Sequence, residues 1–104
     1  MSLKPQRTMN ILERIQLIHP EGKKAVTMER GKYEVLKTSF LDCLKAKRTA
    51  PFKELVFDVT ADLDRRKIKI DGVIEWNLFW VMLDMESRNE LKRDKTLSPQ
   101  QYSL

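Results

Sequence analysis

The chain has 104 residues, 41% of them hydrophobic, with only three Gly and four Pro. That is the length of one folded domain and excludes collagen-like or low-complexity character. The net charge of +5, from 20 Lys/Arg against 15 Asp/Glu, admits an anionic partner without demanding one. The longest unbroken apolar run, residues 78–83, is too short to span a bilayer, and no apolar segment of signal-peptide length follows the basic N-terminus. One cysteine excludes an internal disulfide and a cysteine-rich zinc site. These features point to a small, soluble, cytoplasmic domain.

Residues 1–8 are polar, basic and interrupted by Pro5, which predicts a loose N-terminal tail before a single domain over 9–104. In 9–19 the spacing of Ile11, Ile15 and Ile18 favours a helix over a strand. His19-Pro20-Glu21-Gly22 has the residue order of a type I turn, and Ala25-Val26-Thr27 follows as a short extended piece. Tyr33, Leu36, Phe40, Cys43 and Leu44 recur at helical spacing. They predict a helix over 29–47, with Thr27 as its cap and Lys45, Lys47 and Arg48 at its carbonyl end.

Thr49-Ala50-Pro51 reads as a second helix start, and Phe52, Leu55, Val56, Val59 and Leu63 mark one face of a helix over 51–65. Alternation in Lys67-Ile68-Lys69-Ile70 suggests a short strand or an extended connector, and Asp71-Gly72 a turn. From Val73 to Arg88 a third helix is apolar around most of its girth: Ile74, Leu78, Met82 and Met85 mark one face, and Trp76, Trp80 and Leu83 a second. Asn89 is suited to a left-handed helix stop. Residues 90–94 and 100–104 flank a turn, which gives a terminal hairpin. The predicted class is mainly α with a small β-hairpin, an α+β domain in the order of a winged helix-turn-helix.

No catalytic, cofactor-binding or metal-binding constellation is visible, so an enzyme is not expected. His19 is the only histidine, which rules out a multi-histidine metal site, and Cys43 lies on an apolar helix face as a buried thiol. Gly22-Lys23-Lys24 lacks the upstream glycine and following Ser/Thr of a phosphate loop. Asp58, Asp62 and Asp64 suggest a divalent-cation site, but Asp58 and Asp62 share a helix face with Arg66 four residues beyond Asp62, which reads as a solvated, partly paired face instead.

The stretches Tyr33 to Leu44, Phe52-Lys53-Glu54-Leu55, Gly72-Val73-Ile74-Glu75-Trp76 and Leu83-Asp84-Met85-Glu86-Ser87-Arg88 resemble a small uncharacterised family of bacterial winged-helix-like proteins, over roughly residues 20–104. The resemblance implies a stand-alone winged helix-turn-helix domain with a DNA-binding role in transcription regulation. Two departures are the connection over 66–73, longer than a three- or four-residue helix-turn-helix turn, and Asn89 where such domains often have Gly.

Placed on this fold, Lys53 and the wing residues Lys92, Arg93 and Lys95 are the candidate phosphate contacts on double-stranded DNA, and Asn77 the candidate base reader. The charge of the third helix works against that role: Glu75, Asp84 and Glu86 oppose only Arg88 over residues 73–88. The alternative function is a protein–protein interaction or homodimerisation domain without DNA binding. In that case Trp76 and Trp80, one turn apart, form the interface; as a pair on one helix face they otherwise read as core. No membrane partner and no small-molecule ligand are expected.

Overall fold

The computed structural model describes residues 13–104. The expected tail at 1–8 and the start of the expected first helix, residues 9–12, lie outside the described residues. The described residues form three helices and two small antiparallel sheets, an α+β arrangement in which about half of them are helical.

In its described part, the segment expected to be helical over 9–19 is a strand instead. β1 (Arg14–Gln16) pairs antiparallel with β2 (Thr27–Glu29), Ile15 opposite Met28. The sequence signal was ambiguous because isoleucines three and four apart suit a helix. Burial resolves it with a period of two: Ile15 and Leu17 turn to the core while Gln16 and Ile18 turn outward. The pairing partner is more than ten residues away, so no local spacing reports it. The Arg14 guanidinium adds bonds to the Thr27 hydroxyl and carbonyl at 3.2 and 3.1 Å. The turn between the strands closes with the Gly22 N–H on the His19 carbonyl at 2.9 Å.

α1 (Arg30–Lys47) buries Tyr33, Leu36, Phe40 and Leu44 on one stripe, as their spacing requires. Thr27 lies in β2 and does not cap it; the N-cap position is Glu29, and the Arg30 N–H is instead satisfied by the Glu13 carbonyl at 2.9 Å. Thr49 is likewise not a cap. It opens β3 (Thr49–Pro51), and Pro51 is the last residue before α2 (Phe52–Arg65). Pro51 is tolerated because β3 is an edge strand.

Residues 66–73 form no strand; Ile68 and Ile70 are partly buried against the core within an irregular connection. That connection starts with a helix stop at Lys67 (φ 60°), where Ile68 N–H returns to the Leu63 carbonyl and Lys67 N–H to the Asp64 carbonyl, satisfying two orphan acceptors. α3 (Ile74–Ser87) ends the same way, with Asn89 left-handed as expected (φ 63°) and the Glu90 N–H on the Met85 carbonyl at 2.8 Å. The terminal hairpin forms from β4 (Lys92–Asp94) and β5 (Gln101–Ser103), and β3 adds to it in the order β3-β5-β4. Ala50 and Arg93 both oppose Tyr102, which is buried at the centre of the sheet.

The core lies where the three helices meet β1 and this sheet, and two carboxylates are buried with it: Asp62, expected on a solvated face, and Asp84. Asp84 on α3 is fully buried. It accepts the Ile18 N–H at 2.8 Å, the Tyr33 hydroxyl at 2.7 Å and Arg88 Nε at 2.9 Å. One carboxylate thus ties the chain after β1 to α1 and α3. Burial, then the hydrogen bond to Asp84, push the Tyr33 phenol well above its ordinary pKa, so it remains a donor throughout the physiological range. Replacing Asp84 by Ala leaves a backbone donor, a phenol and a guanidinium without their acceptor. We expect Asp84→Ala to lower unfolding free energy by about 3 kcal/mol and Tyr33→Phe by about 1 kcal/mol, both measured by urea denaturation.

Candidate interaction surface on the third helix

α3 is buried on two sides but not on a third. Leu78, Val81, Met82 and Met85 enter the core, whereas Val73, Trp76 and Phe79 are 66%, 53% and 41% exposed. Trp80 lies between these groups, half-buried against the core. It holds edge-to-face contacts with Trp76, Phe79 and His19, with ring centroids 6.3, 6.1 and 6.1 Å apart. Phe79 also crosses Phe52, the first residue of α2, at 6.0 Å and an interplanar angle of 80°. Phe52, Val73, Glu75, Trp76 and Phe79 line an open, mostly apolar hollow of about 360 Å³. A second hollow of about 540 Å³ shares Phe52 and continues along Pro51, Pro99 and Tyr102.

The two tryptophans singled out from spacing therefore separate in role. Trp76 is surface, and Trp80 anchors the surface rings to the core. Phe79, Val73 and Phe52 belong to the same surface and were not among the expected interface residues. The signal for the first two was available as a second apolar stripe, 73–76–79, at helical spacing. The contribution of Phe52, from a different helix, was not.

Of the residues expected to meet DNA, Asn77 and Arg93 are engaged within the protein and the three lysines are exposed. Asn77 is buried, and its amide nitrogen donates to the Val73 carbonyl at 2.8 Å inside its own helix. The turn before it leaves no room either: a Cβ on Gly72 (φ +88°) would stand 3.1 Å from that nitrogen. A side chain packed this way has no edge to offer a base. Arg93 is spent on Glu86 at 3.1 Å, both side chains being more than four-fifths buried. Lys53, Lys92 and Lys95 are exposed and have no ion-pair partner among the described residues.

Between α1 and α2 lies another shallow groove, lined in part by Cys43, Asp42, Asp58 and Asp62. Its charges are paired across the helices. Lys47 bridges Glu54 and Asp58 at 2.9 and 2.8 Å, Arg66 bridges Asp42 and Asp62 at 3.0 and 3.2 Å, and Arg65 also contacts Asp62. The Ser39 hydroxyl donates to Asp62 at 2.7 Å. Desolvation, with Asp62 and Asp58 nearby, pushes the Cys43 thiol up and away from the reactive thiolate form. Among the described residues no group of three or more His, Cys, Asp or Glu side chains is arranged to hold a metal ion. No helix is long and apolar enough to cross a membrane among the described residues.

The Asp62 contacts make stability depend on pH. The Ser39 hydrogen bond, followed by Arg66 and Arg65, holds the Asp62 carboxyl below its ordinary value in the folded chain. The folded state then binds fewer protons than the unfolded one between the two pKa values, so this contribution is complete above about pH 4 and is lost as the pH falls through the folded pKa. Asp62→Asn should be less stable at pH 7 yet lose less stability on acidification to about pH 2.5 than the parent, as read by thermal melts across that range.

Comparison with curated proteins and with solved structures returns no match. A family of unknown function (DUF6958) matches residues 14–102. That match takes in both sheets and all three helices, and the chain belongs to this family.

Proposed function

We propose that this chain is a non-catalytic protein-interaction domain whose contact surface is the aromatic face of α3. The observation that carries the reading is the exposure of Trp76 and Phe79 side by side on a helix whose other sides are buried. Large aromatics left in water next to one another are costly. Covering half of such a side chain, about 100 Å², is worth about 2.5 kcal/mol. Contiguous apolar surface of this kind marks docking sites more often than chance exposure does. The winged-helix reading of the scaffold is supported by the element order, a sheet formed by a strand before α2 and a hairpin after α3. In this chain the helix such domains would insert into a groove offers aromatics and Glu75 rather than base-reading side chains.

A photo-crosslinking residue replacing Phe79 in the full chain, expressed in cells, should join to a discrete polypeptide, either another protein or a second copy. Trp76→Ala in the same chain should reduce that adduct several-fold. Crosslinking to nucleic acid alone, or to nothing while the protein remains folded, overturns the reading.

The nucleic-acid reading keeps one specific support, the exposed Lys53, Lys92 and Lys95, which have no ion-pair partner among the described residues. Three phosphate contacts imply an affinity for a mixed-sequence duplex that falls about 40-fold between about 50 and about 200 mM salt. Fluorescence anisotropy at the two salt concentrations measures that slope, and Lys53→Ala with Lys95→Ala should reduce it. A flat response removes this support.

A further inference from the structure

We infer that the hollow between α2 and α3 is a site for a cationic side chain, the ammonium or guanidinium of a lysine or arginine on the partner polypeptide. The inference rests on the proposed interaction surface and states what that surface reads. Its elements are three aromatic rings and one carboxylate. Phe52, Trp76 and Phe79 line the hollow together with Val73 and Glu75. Phe52 and Phe79 are crossed rather than stacked, at an interplanar angle of 80°. A cation seated over the face of such a ring is attracted by its quadrupole. Glu75 lines the same hollow, one helical turn before Phe79 and adjacent to Trp76 in sequence.

The carboxylate decides between an apolar and a cationic occupant. Glu75 is exposed and has no ion-pair partner among the described residues. Residues 70–87 form the longest stretch of the chain without a lysine or arginine, although 20 such residues are spread through 104. An apolar plug seated on the rings would crowd water away from Glu75 and give nothing back for its charge. A lysine or arginine covers Val73 and the rings with its alkyl stem and brings the charge Glu75 lacks. The chain's net charge of +5 does not prevent this, because charges beyond about 8 Å are screened at physiological salt while contact pairs are not. The apolar patch also needs such an anchor. Covering Trp76 and Phe79 gains no more than association itself costs in lost translational and rotational freedom.

The test uses the full chain labelled with ¹⁵N, following the Trp76 indole N–H during titration with Nα-acetyl-lysine methylamide, Nα-acetyl-arginine methylamide and the uncharged Nα-acetyl-norleucine methylamide. The cationic compounds should shift the Trp76 signal, and the norleucine compound should bind about threefold more weakly. Glu75→Gln should lower the lysine affinity about threefold and leave the norleucine affinity unchanged. A Phe79→Leu variant, which stays apolar and removes one ring, should narrow the difference between lysine and norleucine, read at the same Trp76 signal. Equal binding of lysine and norleucine compounds in the parent overturns the cation site while leaving the aromatic face intact as an interaction surface. No shift with any compound overturns it as well. The interaction reading itself falls only if the crosslinker at position 79 captures no polypeptide, so the two failures are distinct.

Discussion

The carboxylate of Asp84 is the constraint around which this fold is arranged. A fully buried charge is tolerated only when its lone pairs are occupied, and the three donors that occupy them come from three parts of the chain. Ile18 contributes its backbone N–H only if the segment after β1 is extended and laid against α3. Tyr33 reaches across only if α1 packs with its first turns over the same place. Arg88 closes the set from the next turn of α3. Ser87 adds a bond from its hydroxyl to the Ile18 carbonyl at 3.1 Å, so both backbone groups of that residue are held by α3. The carboxylate therefore specifies where β1 lies and not merely that it is buried.

Fixing α3 on these two sides leaves its remaining side to be explained, and the chemistry there is consistent. Trp80, partly sunk in the core, supports Trp76 and Phe79 as a rigid aromatic surface, and Phe52 extends it onto α2. Rigid aromatic area has little conformational entropy left to lose on binding, which is why such residues dominate interaction hot spots. The acidic charge of α3, awkward for a helix meant to meet phosphate, becomes intelligible once its three acids are located. Asp84 is structural, Glu86 is paired with Arg93, and Glu75 alone faces outward beside the rings.

The helices over 30–47, 52–65 and 74–87 were legible in the sequence to within a residue or two, because their apolar positions repeat at 3.6-residue spacing over three or more turns. The turns at Gly22 and Gly72 and the left-handed stop at Asn89 were legible for an equally local reason, the backbone conformations those residues tolerate. The sites were less legible. Asn77 was chosen by residue type, and type does not reveal that its amide folds back on Val73. Arg93 was chosen by position on a hairpin, and position does not reveal that Glu86 is opposite.

Local chain chemistry was thus sufficient for the three described helices, the turn positions, the terminal hairpin and the apolar girth of α3, although it grouped Trp76 with Trp80 and Leu83, whereas Leu83 is buried and the face in water is Val73, Trp76 and Phe79. Tertiary structure alone decided that β1 is a strand, that Thr49–Pro51 joins the terminal hairpin as a third strand, and that one stripe of α3 remains in water. Each of these depends on a partner far along the chain: Met28 for Ile15, Tyr102 for Ala50, and Phe52 for Phe79. A period of two or of 3.6 reports which side chains share a face; only the packed chain determines what that face meets.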